Sequence, residues 1–397
     1  MARDTTTMAA AAAVVTVTAL PAFLTGALAV QMRADLGFDE AGLGLMVATF
    51  FLAASLASAP CGRLAERLGP AASMRVSSVM ASASLAAVAL FGQSLGVLLV
   101  CLAIGGLSNA TAHPASSLFL ARTIEPSRLG LAFGVKQSSV PAANLVAGLA
   151  VPAFALTVGW RWAFVAGAAC AATLVALPPA GNGGRPAPGV RTQSGARETA
   201  LRPMLLLATG AAFAGAAVGS LGSFLVSSAV DSGIHEGHAG LLTAVGSALG
   251  IAVRVTLGVR ADRWDRDHLL VVAGMMAAGA SGYFLVATQS VLPVVVGALV
   301  TYSLGWGWNG LFNLAVVRSN PSAPGAATGI TQTGVFVGAV FGPLIFGFIV
   351  DRASYTAAWL VAGGLSLAAA ASVAFARRLL ALDHVRRSDA GAVAAVP

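Results

Sequence analysis

The chain has 397 residues, 57% hydrophobic and only 10% charged, with a mean hydropathy of +0.84. A soluble globular protein carries about 25% charged residues, so a water-soluble enzyme or binding module of this length is excluded. The net charge of +8 does not signal nucleic-acid binding, because the basic residues stand at the ends of apolar runs rather than in patches interleaved with aromatics.

Apolar runs of membrane-spanning length follow one another along the chain: 9–30, 41–61, 74–93, 95–121, 130–157 and 160–179, then 203–229, 239–258, 268–288, 290–317, 327–350 and 357–376. Unpaired sheet edges cannot face lipid, so these runs are predicted helices. They lack the period-2 alternation of an outer-membrane barrel. The first run, after MARDTTTM and ending near Ala27-Leu28-Ala29, resembles a secretory leader. It is read as a retained span, because its removal would break a six-plus-six arrangement. Residues 181–203, GNGGRPAPGVRTQSGARETALRP, have no apolar period and read as a polar linker. The expected architecture is an all-α membrane protein of twelve transmembrane helices in two six-helix bundles related by a pseudo-twofold repeat. The first bundle is placed at 1–180, a cytoplasmic linker at 181–202, the second bundle at 203–380 and a cytoplasmic tail at 381–397.

Of the 23 basic residues, only Arg33, Arg161 and Arg352 fall on the side opposite the termini, while Lys136 and Arg254 lie within spans. The positive-inside rule then places both termini in the cytoplasm, with the chain a multi-pass protein of the inner, cytoplasmic cell membrane. Cys61, Cys101 and Cys170 show no metal-ligand spacing and are expected to pack without disulfides.

The two halves repeat. Residues 61–70, CGRLAERLGP, and 257–266, LGVRADRWDR, share Gly-x-x-Ala-acid-Arg, with Gly62 facing Gly258 and Glu66 facing Asp262 at an offset of 196. Arg122 and Arg318 keep that offset, Gly134 with Gly329 and Gln137 with Gln332 follow at 195, and Trp162 with Trp359 at 197. On these residues the chain resembles the major facilitator superfamily. Gly62, Leu64, Ala65, Glu66, Arg67 and Gly69 match that family's loop signature, with Glu for Asp and without its trailing Arg pair. In the second copy Gly258, Ala261, Asp262 and Arg263 match. The strings FGVKQSSVP and GWGWNGLFN further resemble its cyanate-porter-like branch. The resemblance implies a rocker-switch transporter with a central site between the halves. Gly62, Glu66, Arg67, Gly258, Asp262 and Arg263 are then expected to gate the cytoplasmic side through charge-assisted contacts.

Substrate chemistry is sought where the repeat is broken by polar groups inside spans. All 15 acidic residues fall in loops, tails or span ends. The embedded basic residues are His113, Lys136, the only lysine, and Arg254; they face Asn309, Thr331 and Ser58, none of them charged. Buried cations without carboxylates are costly unless water, a dipole or a bound anion offsets them. The expected site therefore combines Lys136 as a point charge, Arg254 as a forked donor and His113, with Asn109, Gln137, Asn309, Trp306, Trp308 and Gln332 around them. His113 reads equally as a packing histidine or a proton-linked group, and Arg254 as a ligand or a snorkelling side chain.

The expected function is secondary active transport of a small organic or inorganic anion, driven by an ion or exchange gradient. A proton-linked exporter of drugs or a secreted metabolite is the alternative, and a non-transporting sensor or scaffold the remote one. No P-loop, metal cluster or nucleophile–base constellation is present, so the expectation is a transporter, not an enzyme, without cofactor. Its expected partners are the small-molecule substrate, a possible coupling proton and the lipid bilayer, with the protein a monomer that binds no nucleic acid.

Overall fold

The structure, a computed structural model, describes residues 2–125, 128–176, 201–261, 267–320 and 324–394. The first half contains α1 (Ala2–Ala27), α2 (Ala29–Leu36), α3 (Glu40–Leu68), α4 (Pro70–Phe91), α5 (Leu95–Thr123), α6 (Leu129–Gln137), α7 (Ser139–Ala150) with a π-helical stretch Val151–Ala155, and α8 (Trp160–Thr173). The second half contains α9 (Leu201–Asp231), α10 (Glu236–Ala261), α11 (His268–Ala287), α12 (Val291–Val300) with a π-helical stretch Thr301–Gly305, α13 (Asn309–Ser319), α14 (Pro324–Arg352) and α15 (Tyr355–Ala394).

Among the described residues eleven helical runs are long and apolar enough to cross a membrane. Helix α8 takes the place of the remaining span with its 14 residues, and 177–200, most of the expected linker, lie outside the described residues. No strand occurs among the described residues. Helix α15 runs on to Ala394, past the position 380 where the second bundle was expected to end. Cys101 is buried as expected, but Cys170 is exposed: its side chain points out of the bundle instead of into its core.

The repeat extends into the turns between helices. Residues 35–40, DLGFDE, recur as 231–236, DSGIHE, at 196. Both turns need a glycine in the left-handed region, Gly37 at φ +69° and Gly233 at φ +89°. Each then starts a long helix on a glutamate, Glu40 and Glu236.

Small residues set the helix spacing, as expected where lipid provides no hydrophobic drive between helices. Along α14, a Cβ added to Gly334, Gly338 or Gly342 would stand 2.0, 2.1 or 2.4 Å from the carbonyl oxygens of Ala208, Ala212 and Ala216 on α9. The matching pair in the first half is α1 and α7. There Ser139 Oγ donates to the Ala12 carbonyl at 3.0 Å and Thr16 Oγ1 to the Ser139 carbonyl at 3.3 Å.

Beside the contact of α1 with α9, the two bundles meet through two equivalent crossings. Helix α3 crosses α14 where a Gly44 Cβ would lie 2.4 Å from the Pro343 oxygen. Helix α10 crosses α7 where a Cβ on Gly240 or on Gly148 would lie 2.6 Å from the other's carbonyl oxygen. Gly44 maps onto Gly240 at 196 and Gly148 onto Pro343 at 195, so the pseudo-twofold exchanges one crossing with the other.

Further ties lie at the end of the bundles where α3 and α10 begin. Both Asp351 carboxylate oxygens, at the end of α14, accept backbone N–H groups from the first turn of α3: Glu40 at 3.1 Å and Ala41 at 2.6 Å. This is an N-cap supplied by the opposite bundle. Glu40 also receives the Arg33 guanidinium and the Tyr355 hydroxyl, and Gln31 donates to Glu236. Burial works to lower the Arg33 pKa, but Glu40 and Tyr355 outweigh it and hold the guanidinium above its ordinary value. At the opposite end, Gly134, Gly258 and Gly329 have empty space where a Cβ would stand, and Arg63, Glu66 and Arg67 are exposed. Among the described residues the protein is thus closed at one face and open at the other.

Asp351→Ala should weaken the closed face by about 1 kcal/mol, the usual worth of a cap, a roughly fivefold change in the ratio of closed to open states. Pulsed electron-spin distances between labels at the exposed positions Val158 and Ala353 would report it. An unchanged distribution would show that the cap does not hold the face.

Candidate functional site

The embedded basic groups His113, Lys136 and Arg254 stand where α5, α6, α10 and the break between α12 and α13 meet. Lys136 stands one residue before the end of α6 and is buried at 6% exposure. Its Nζ donates to Ser117 Oγ at 2.6 Å, and Ser117 Oγ donates in turn to the His113 carbonyl at 2.9 Å, one turn earlier on α5. His113 is half-buried and within electrostatic reach of Lys136. Among the described residues no carboxylate lies within ion-pair distance of Lys136; the described ion pairs are Arg33–Glu40, Arg128–Asp4 and Arg377–Asp267.

Arg254 has a different environment. Its Nη1 donates to the Gln137 carbonyl at 3.1 Å and its Nη2 to the Trp306 carbonyl at 2.7 Å. The sequence explains why the first acceptor is free. Gln137 would normally accept an N–H from the residue four positions on, but that residue is Pro141, which has none. The helix breaks at Ser138 and restarts as α7. The second acceptor closes the π-helical stretch Thr301–Gly305, ahead of the turn that leads into α13. Both carbonyls are C-terminal helix groups carrying partial negative charge, so dipoles offset this guanidinium. Its carbon lies 5.9 Å from the Trp306 ring centroid, while its Nε is buried without a partner.

Trp306 and Trp308 separate. Trp306 stands between the bundles, 6.1 Å from Phe23 of α1 and 5.5 Å from Tyr302. Trp308 is 1% exposed, edge-on to Phe312 inside the apolar core of the second bundle. Asn109 is buried and donates to Thr18 Oγ1 at 3.3 Å, within the first bundle. Asn309 accepts from Asn313 at 3.1 Å, and Gln332 is half-buried on α14. Of the loop residues, Glu66 and Arg67 are exposed at the open face and a Cβ on Gly62 would lie 3.9 Å from Pro114; Asp262 and Arg263 lie outside the described residues.

Sequence reasoning passed over Ser117 and counted Asn144 only among the embedded polar groups, with no part in the site. Ser117 follows His113 by four residues, a helical spacing that aims it at the same neighbour. Asn144, buried on α7, donates to Ser247 Oγ at 2.9 Å and to the Tyr302 hydroxyl at 2.8 Å, joining the bundles through a polar cluster. Its antiparallel partner helix α10 was legible, but which of its serines would face α7 was not. Ser117→Ala should raise the KM of a solute bound at Lys136 about tenfold to a hundredfold, the worth of one hydrogen bond to a charged group. An unchanged KM in reconstituted vesicles would remove Ser117 from the site.

The sequence profile described as Major Facilitator Superfamily matches residues 8–334 and 207–395. The chain belongs to this superfamily. Two relatives from Mycobacterium tuberculosis strains, both described as uncharacterized MFS-type transporters, are 28% identical over 379 residues, spanning 89% of this chain and 87% of theirs. Solved structures share the fold at low identity. A bacterial homologue of the human lysosomal transporter Spinster, inward-facing and unoccupied, has TM-score 0.69 at 15% identity, covering 96% of both chains. A nucleoside transporter has TM-score 0.72 at 16% identity, covering 92% of this chain and 99% of its own. A D-xylose-proton symporter has TM-score 0.72 at 16% identity, covering 92% and 96%. The protein is a multi-pass membrane transporter of the secondary active class, not an enzyme, and alternating access by symport or antiport fits its family.

Proposed function

We propose that this transporter carries a small organic or inorganic anion and that Lys136 is the group that holds it. The observation supporting this is the buried ammonium whose described partner is a single hydroxyl. A buried cation so weakly compensated is unfavourable in a membrane interior, and a bound anion removes the imbalance. Arg254, already facing two carbonyls, plays a secondary part. His113, Ser117, Asn109, Gln137, Asn309, Trp306 and Gln332 border the path, with Trp308 set back in the core.

In the same reading both termini and the linker 181–202 are cytoplasmic, in the cell membrane, and the bundles comprise 1–180 and 203–380 with a tail at 381–397. The open face is then the cytoplasmic one and the state inward-facing. Gly62, Glu66 and Arg67, with Gly258, Asp262 and Arg263, meet across the cleft when that face closes. The protein acts as a monomer in lipid.

Flux measured in proteoliposomes with a panel of inorganic anions and carboxylates, with and without a pH gradient, tests the reading. Saturable anion flux supports it. Flux confined to neutral or lipophilic compounds, and dependent on a pH gradient, overturns it in favour of a proton-linked exporter in which His113 is the titrating group.

A further inference from the structure

We infer that Arg254 is a positioning residue that straps the two bundles together through the carbonyl Pro141 leaves free, so that movement of α6 is passed to α10. The inference does not depend on the charge of the substrate.

Helix α6 is a nine-residue segment separated from α7 by the break at Ser138. It can pivot against α7 without disrupting the crossing at Gly148, because the helix is interrupted at Ser138 and Pro141 removes one of the hydrogen bonds that would join the two segments. Its C-terminal carbonyl, Gln137, is held by a side chain from the opposite bundle, and the other arm of the same guanidinium holds Trp306. One planar fork thus ties a break in the first bundle to a break in the second. A lysine could not do this, since its single ammonium lacks the fixed two-pronged geometry.

The position along the interface fits a transmitting role. Helices α7 and α10 run antiparallel, and their ties pass from Gly148–Gly240, through Asn144–Ser247, to Gln137–Arg254. The last of these lies furthest toward the open face. It is also one residue from Lys136, so a solute that draws Lys136 displaces the carbonyl Arg254 holds. At the offset of 196 Arg254 faces Ser58, so the equivalent α3–α14 crossing has no arginine in this place. The two crossings are alike in packing but only one carries the strap.

The test is a double-mutant cycle on the reconstituted transporter with its three cysteines replaced by serine. Spin labels at Leu64 and Val259, both exposed near the open face, report the open-face population by pulsed electron-spin distances. Arg254→Met removes the donor. Pro141→Ala supplies an N–H that competes for the Gln137 carbonyl. Each should lower the ratio of open-face to closed states roughly tenfold, the scale of one hydrogen bond to a charged group, and Arg254→Lys should recover part of the loss. The double variant should lose no more than either single one, because both cut the same link. Additive losses, or single variants without effect, overturn the inference. If Arg254→Met is not recovered folded, Pro141→Ala decides alone: an unchanged distribution refutes the strap.

Discussion

Lys136→Gln is expected to lower anion flux through the reconstituted transporter by roughly tenfold to a hundredfold while leaving insertion into the membrane intact. A hydrogen bond to a charged group is worth about 1.5–3 kcal/mol, and each 1.4 kcal/mol is about a factor of ten. The substitution shortens the side chain by one atom and keeps a donor for Ser117, so the main lost quantity is charge. It also relieves the empty site of a poorly compensated buried ammonium, so thermal stability in detergent should hold or rise. Lys136→Arg keeps the charge but spreads it over a planar group that does not fit the same partners, and should fall between the two. Concentration-dependent uptake in proteoliposomes decides the matter: equal KM and turnover in the parent and the Gln variant would take Lys136 out of the site.

Gly148→Leu is expected to abolish closure of the face that is shut in this structure. A Cβ there already lies 2.6 Å from the Gly240 oxygen and 2.8 Å from the Ala244 nitrogen, both backbone atoms that cannot rotate aside. A leucine forces α7 and α10 apart by the thickness of a side chain, which tightly packed interfaces do not absorb without cost. Transport should drop below detection, since alternating access needs both faces to close in turn. The variant should still insert and should populate the state open at the α3 and α10 starts, read as reagent access to a cysteine placed at the buried Thr25. Gly44→Leu meets the Pro343 oxygen at 2.4 Å and should behave alike, because the pseudo-twofold makes the crossings equivalent. Normal transport by either variant would show that these crossings open no further than they stand here.

The fold was legible because lipid leaves the backbone so few choices. Apolar runs of spanning length had to be helices, and the Gly62–Gly258 repeat located the second half. The helix ends were less legible: α3 runs from Glu40 to Leu68, well beyond the apolar run 41–61, because polar residues extend a helix at no cost once outside the apolar layer. For the site, the sequence singled out Lys136 and Arg254 by their lack of charged counterparts. It set Lys136 apart as the only lysine and left Arg254 between ligand and snorkelling side chain, because the pair of backbone carbonyls that holds Arg254 leaves no mark in the sequence. Pro141 hinted at the first as a bend, but that the freed oxygen would face a guanidinium 117 positions away depends on how the bundles dock. Trp306 and Trp308 are two residues apart and were indistinguishable in composition. The turn at Trp306–Trp308, after the π-helical stretch, sends one to the interface and the other into the core.

Pro141 has a consequence for how the protein is made. The first six spans enter the membrane before the eighth exists, and at that stage the Gln137 carbonyl has neither a proline N–H nor the guanidinium that later serves it. A bare carbonyl in hydrocarbon is unfavourable, so the newly inserted first half must keep α6 near water until α10 and the break at Trp306 arrive. The two halves are therefore not independent modules joined by a linker. The first completes its backbone hydrogen bonding only with the second, and the order of synthesis becomes part of the assembly.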